Sequence, residues 1–286
     1  MKKLLSAAIQ LNAGSDKHQN IENATRLIKK AARKGAQLIA LPEVFNWRGN
    51  RKEILDNCEP IPGPTSTRMA ELAVTLKIFL LCGSIIETNT ESSKPFNTSF
   101  LINPRGKIIS CYRKLHLFKI NLRGNSAIDE TRIYSAGNEA KTALTPFGRV
   151  GITICYDLRF PELYRTLTHQ GAVVIFIPSS FTFETGKAHW ETLIRARAIE
   201  NQVYIIAPNQ YGKDPSGNNT YGHSMIVDPW GAVIARCSNR EKIIYGELDI
   251  NHLKKVRKSL PSLQHTRADV LKKYGTTEDT ERKCIF

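Results

Sequence analysis

The sequence predicts an α/β domain with two mixed β-sheets and helices on their outer faces. Three observations carry this. Apolar strand-like runs alternate with amphipathic helical segments along most of the chain. Hairpins about Asn-Pro-Arg-Gly (103–106) and Asp-Pro-Trp-Gly (228–231) interrupt that alternation, which a simple parallel sheet does not use. No stretch rich in Pro, Gly or Ser divides the 286 residues, so 1–274 read as a single domain and 275–286 as a poorly ordered polar tail.

Taken in order, "LLSAAIQLNA" is a first strand, and "NIENATRLIKKAARKGA" a helix with Ile21, Ala24, Leu27, Ile28 and Ala31 on one face and Gly35 at its end. "QLIALPE" is the next strand, and a helix over about 65–77 leads into the strand "IFLLCGSIIE". "TSFLINPRGKIISCYRK" reads as two strands around a turn, followed by a loop over about 115–145. The alternation then resumes. "RVGITIC" is a strand, "PELYRTLTHQGA" a helix opened by proline, and "VVIFIPSS" a strand. "AHWETLIRARAIENQ" is helical, "VYIIAPNQ" a strand and "HSMIVDPWGAVIARC" a hairpin, before "IIYGELDI" and the helix "NHLKKVRKSL".

Composition narrows the function classes. No apolar run approaches the roughly 20 residues of a membrane helix. The opening "MKKLL" is followed by a run broken by Ser6 and Gln10, so it reads as a core strand rather than a signal peptide and the expected compartment is the cytoplasm. The six cysteines form no C-x-x-C pair and read as reduced, and no Cys or His falls at zinc-ligand spacing, so no metal is expected. In the C-terminal "RKCIF" the cysteine is third from the end, where a prenylation box needs it fourth. The net charge of +15 raises nucleic acid or acidic membrane surfaces as partners, but the excess lies in short clusters such as Lys29, Lys30, Arg33 and Lys34, without interleaved aromatics. A solvated basic surface follows, with no specific nucleic-acid partner and no membrane partner expected.

Three predicted strand exits carry reactive side chains: Glu43 after "LIALP", Lys114 after "IISCYR" and Cys155 after "RVGITI". Functional groups collect at such exits in α/β sheets. Each alone has an ordinary structural explanation, but a carboxylate, an ammonium and a thiol together are what acyl transfer through a thioester requires. A thiol is mostly protonated near neutral pH and needs a base or a cation beside it. Glu43 would take the proton and return it to the leaving amine, while Lys114 and the backbone N–H of Tyr156 would stabilise the oxyanion.

"LPEVF", "YRKLHLF" and "GITICYDLRFPELYR", in this order and spacing, resemble the nitrilase superfamily of carbon-nitrogen hydrolases over about residues 4–274. The resemblance implies a four-layer αββα sandwich, a Glu43–Lys114–Cys155 triad, no cofactor, and association as a homodimer or higher homo-oligomer. It also implies a second glutamate, Glu130, that orients the lysine or the substrate amide. Tyr156 and Asp157 stand where true nitrilases usually carry Trp-Glu, so an amide rather than a nitrile is the expected substrate.

The segments 186–212, 221–238 and 260–269 look closest to the deaminated glutathione amidases, which release 2-oxoglutarate and cysteinylglycine. Omega-amidases acting on 2-oxoglutaramate, N-carbamoyl amide hydrolases and, from another class, a basic binding protein with a vestigial site are the alternatives. Arg159 is the candidate for gripping a substrate carboxylate, against an internal ion pair with Asp157 or Glu162. By resemblance, Phe181 and Thr185 line the pocket, whereas His189 and Trp190 serve packing. Lys119, Asn121 and the basic loop 121–129 depart from the family pattern and leave the pocket entrance undetermined.

Overall fold

The computed structural model describes residues 3–120, 128–267 and 269–270. The predicted tail and most of the basic loop at 121–129 lie outside them. The strands are β1 (Lys3–Gln10), β2 (Leu38–Ala40), β3 (Phe79–Glu87), β4 (Phe96–Ile102), β5 (Ile108–Arg113), β6 (Lys119–Ile120), β7 (Ile128–Asp129) and β8 (Lys141–Thr145). They continue as β9 (Gly148–Ile152), β10 (Ala172–Phe176), β11 (Tyr204–Ala207), β12 (Tyr211–Lys213), β13 (Asn219–Tyr221), β14 (Met225–Val227), β15 (Val233–Arg236) and β16 (Lys242–Asp249). The helices are α1 (Lys17–Arg33), α2 (Pro64–Leu76), α3 (Pro161–His169), α4 (Phe183–Asn201) and α5 (Ile250–Ser259).

Two six-stranded sheets result, in the orders β16-β1-β2-β3-β4-β5 and β15-β14-β11-β10-β9-β8. Each has three parallel strands at its centre, β1–β2–β3 and β9–β10–β11, flanked by antiparallel ones. Pleat alternation turns this topology into layers. In β1, Leu4 and Ala8 join the core shared with Val150, Ile152, Val174, Phe176 and Met225 of the second sheet. Ala7 and Ile9 face the other way, onto Ala24, Leu27, Ile28 and Ala31 of α1 and Met69 and Leu72 of α2. On the far side of the second sheet, Leu163 and Leu167 of α3 and Trp190, Ile194 and Ala198 of α4 are buried. The order is therefore helices, sheet, sheet, helices: the four-layer αββα sandwich.

Local chemistry sets the boundaries. Asp16 caps α1 through the Gln19 N–H, so the helix opens at Lys17, ahead of the expected segment. The loop expected over 115–145 contains β8, a five-residue edge strand with only Ala143 and Leu144 as large cues. The hairpin β12–β13 was also not foreseen, since its strands, Tyr-Gly-Lys and Asn-Thr-Tyr, alternate no apolar residues. Helix α4 starts at Phe183, five residues before the expected start at Ala188, and Gly186 in its first turn packs where a Cβ would lie 2.4 Å from the Tyr221 side chain. No described helix is long and apolar enough to cross a membrane.

Candidate active site

Glu43, Lys114, Glu130 and Cys155 come from four separate loops and line one cavity of about 790 Å³. Glu43 follows β2 through Leu41 and Pro42, and its carboxylate is almost fully buried. Its Oε1 accepts from Lys114 Nζ (3.0 Å) and from Asn97 Nδ2 of β4 (2.9 Å), and its Oε2 from the Ser180 N–H (2.7 Å). Val44, next in the chain, holds φ at +49°, an uncommon conformation for a β-branched residue, and its N–H donates to Ser84 Oγ (2.9 Å). The strained step turns the chain abruptly after the carboxylate.

Two glycines allow the backbone to approach closely behind these groups. A Cβ on Gly83 would stand 1.9 Å from the carbonyl oxygen of Pro42, and one on Gly137 would stand 2.3 Å from that of Arg113. Both clashes are with main chain just before a reactive residue, so side-chain rearrangement cannot relieve them. We expect Gly83→Ala to displace Glu43 and lower kcat by about 100-fold, the scale of a 1 Å misplacement. Steady-state kinetics on the folded variant, with far-UV circular dichroism as the fold check, measure it; wild-type kcat contradicts the expectation.

Lys114 leaves β5 with its main-chain N–H on Asn97 O (2.9 Å), and its ammonium is 1% exposed. Beyond Glu43, Nζ donates to both oxygens of Glu130, at 3.2 and 2.9 Å. Burial opposes the charge, but the carboxylates of Glu130 and Glu43 outweigh it and hold Lys114 well above the ordinary lysine value. Glu130 follows β7 and also accepts the Phe118 N–H on Oε2 (2.7 Å). Its own pKa is pushed up by burial, with Lys114 opposing and Glu43 reinforcing the shift.

Cys155 sits three residues beyond Ile152, the end of β9, with φ at +46°. A non-glycine residue in this region carries strain of about 1–3 kcal/mol, held here by the bond from its N–H to Pro178 O (2.9 Å). Asp157 fixes the turn. Its Oδ2 accepts the Ile154 N–H (2.8 Å) and the Tyr112 hydroxyl (2.6 Å), and its Oδ1 the His116 N–H (3.0 Å). One fully buried carboxylate thus ties the cysteine turn to the residues on either side of Lys114.

Burial drives the Cys155 thiol well above its ordinary value; Glu43 adds to the shift and Lys114 opposes it. The shift favours the neutral thiol, so a nucleophilic role would require an adjacent base. Alkylation of Cys155 by iodoacetamide should keep accelerating through pH 8.5, about where an ordinary thiol has half ionised. Glu43→Gln removes a negative charge that raises the thiol, so the midpoint should move to lower pH. A wild-type plateau below pH 7 would contradict this electrostatic picture.

The substrate-facing residues divide. Phe181 and Thr185 line the cavity, as does Tyr156, whose ring meets Phe118 and Phe160 edge-on at 5.0 and 5.3 Å. Arg159 also lines it, and among the described residues it pairs with no carboxylate; the alternative ion pair with Asp157 or Glu162 does not form. Its guanidinium lies over Phe181 and Tyr156, at 5.3 and 5.9 Å from the ring centroids, and donates to His189 Nδ1 (3.2 Å). His189 is thus exposed and tied to Arg159 rather than packed, whereas Trp190 is fully buried with its indole N–H on His223 O. Asn97, Ser180 and Arg48 carry no signal in the sequence, because nothing local marks a side chain whose partner lies tens of residues away, whereas Asp157, noted in the sequence beside the cysteine, proves to anchor its turn.

The arrangement resembles known proteins throughout its length. The family described as Carbon-nitrogen hydrolase matches residues 5–258. The deaminated glutathione amidase of Synechocystis sp. is 40% identical over 93% of this chain and 98% of its own. Human omega-amidase NIT2 is 37% identical over 92% and 95%, respectively. The crystal structure of the C. elegans NitFhit protein superposes with a TM-score of 0.86 at 36% identity, covering 94% of this chain and 66% of that longer one. With two mixed sheets, outer helices and a match over most of its length, the chain belongs to the carbon-nitrogen hydrolase family and is a hydrolase of carbon–nitrogen bonds.

Proposed function

We propose that this protein is a thiol amidase that cleaves deaminated glutathione to 2-oxoglutarate and cysteinylglycine. The observation that carries the chemistry is the buried contact of Glu43 with Lys114 Nζ at 3.0 Å, in the same cavity as Cys155. Glu43 accepts the thiol proton as Sγ attacks the amide carbon, and Lys114 stabilises the oxyanion. Glu43 then protonates the nitrogen, the C–N bond breaks and the amine departs, leaving a thioester. Water, deprotonated by Glu43, attacks the thioester; the acid leaves and the proton returns to sulfur. Glu130 holds Lys114 in place, and Arg159 takes the 2-oxo acid carboxylate between Phe181 and Thr185.

The substrate rests on the amidase relative at 40% identity, and the omega-amidases at 37% support 2-oxoglutaramate as the second reading. Release of 2-oxoglutarate from each compound separates them, because specificity lies in the ratio of kcat/KM values. Preference for deaminated glutathione supports the first reading; preference for 2-oxoglutaramate moves the protein to the second. The five described cysteines are free, which favours the cytoplasm. A homodimer is favoured by the exposed Ile199, Trp230, Val233 and Ile234.

A further inference from the structure

The cavity holds a second guanidinium that the scheme above does not use. Arg48 lines the same cavity as Cys155 and is 7% exposed. Among the described residues its side chain makes one hydrogen bond, from Nη1 to Asn12 Oδ1 (3.2 Å). The nearest carboxylate, Asp214 of the loop between β12 and β13, stands at 3.6 Å from Nη2, beyond hydrogen-bond range. Asp214 is itself engaged by the turn, accepting from the Asn218 N–H (2.9 Å) and from Asn218 Nδ2 (3.1 Å).

A guanidinium has five donors in a planar fork, and no nitrogen of Arg48 is among the buried atoms left without a partner, so the donors that bond no protein group open onto the cavity. Burial lowers the Arg48 pKa from its ordinary value, while the charges of Asp214 and Glu43 oppose that fall. The charge therefore persists, aimed at a cavity, with donors to spare. Arg159 is a separate pole: its neighbours are Tyr156, Phe181 and His189, and it shares none of them with Arg48. Two guanidiniums with donors open to one cavity, Arg48 ion-paired only through the long contact to Asp214 and Arg159 with no carboxylate among the described residues, fit a ligand with two separated anionic groups. If Arg159 takes the acid portion of the amide, Arg48 is left for the amine portion.

We infer that Arg48 is a subsite for a carboxylate on the leaving amine, so that the pocket selects N-substituted amides whose amine portion ends in a carboxylate. This rests on the amidase reading above and narrows it. Ammonia, the leaving group of a primary amide, has nothing for Arg48 to hold. The carboxylate would be gripped through two parallel N–H donors, the geometry in which arginine exceeds lysine.

The test compares deaminated glutathione with the same compound amidated at its C-terminal carboxylate. In the wild type, masking the carboxylate should cost about 10–100-fold in kcat/KM, mostly through KM, the range for a charge-assisted hydrogen bond. In Arg48→Met that penalty should shrink to within about threefold, and in Arg48→Lys it should be intermediate. Should Arg48→Met not fold, Asp214→Asn keeps the turn and removes the competing charge, so its penalty should exceed that of the wild type. Equal turnover of the two compounds by the wild type, or one penalty shared by the wild type and the folded Arg48 variants, overturns the subsite alone. Silence on both alongside turnover of 2-oxoglutaramate overturns the substrate reading and the subsite with it.

Discussion

Cys155→Ala should abolish amide hydrolysis while leaving the protein folded. The loss should reach about 10⁵-fold or more, the scale seen when a covalent nucleophile is removed from a preassembled site. The substitution deletes a single sulfur from a turn held by other atoms. The Cys155 N–H still reaches Pro178 O, and Asp157 still ties Ile154 to Tyr112 and His116. Stability should therefore change by no more than about 1 kcal/mol. Product release and urea denaturation on one preparation separate the two effects. An unfolded variant would mean that the thiol itself holds the turn, and retained turnover would remove Cys155 from the chemistry.

Lys114→Met should lose both activity and stability. The ammonium is the cation between the buried carboxylate of Glu43 and the partly buried one of Glu130, and its removal strands negative charge in a largely enclosed site. Removing one partner of a buried pair costs about 3–5 kcal/mol. The deficit should depend on pH in a definite direction. Glu130 is already pushed up by burial, with Lys114 as the main opposing influence, so the variant pushes it further. A carboxyl whose folded value exceeds its unfolded value favours folding below the unfolded value and loses that contribution as pH rises through the folded one. Urea midpoints should show a smaller deficit at pH 5 than at pH 8, and adding Glu130→Gln should recover part of it. A deficit that grows on acidification would contradict the assignment.

The three strand exits were legible because the chemistry follows apolar runs with an abrupt change to charge, and strand period and sharp exits are local signals. "LIALPE" and "RVGITIC" place Glu43 and Cys155 without tertiary information. Other parts of the site exist only after the sheets pair. Asn97 reaches Glu43 because β4 lies beside β3, and Ser180 because the loop after β10 meets the segment after β2 across the two sheets. Arg48 looked like one basic residue among 41 Lys and Arg, and its significance comes from burial in a cavity that includes a hairpin 170 residues later in the chain (218 minus 48). The elements that the pattern does not predict, β8, the short β6–β7 pair and the β12–β13 hairpin, are short and apolar-poor, and pairing rather than sequence pattern makes them strands.

The central claim is that the acyl portion of the substrate passes through a covalent bond to Cys155. Wild-type protein mixed with excess deaminated glutathione, quenched in acid during turnover and mapped by peptide mass spectrometry, tests it most directly. The account predicts a 2-oxoglutaryl thioester on Cys155, present only while substrate lasts and removed by hydroxylamine. Steady product release with Cys155 unmodified at every quench time, or an acyl group on another of the described cysteines instead, would contradict it.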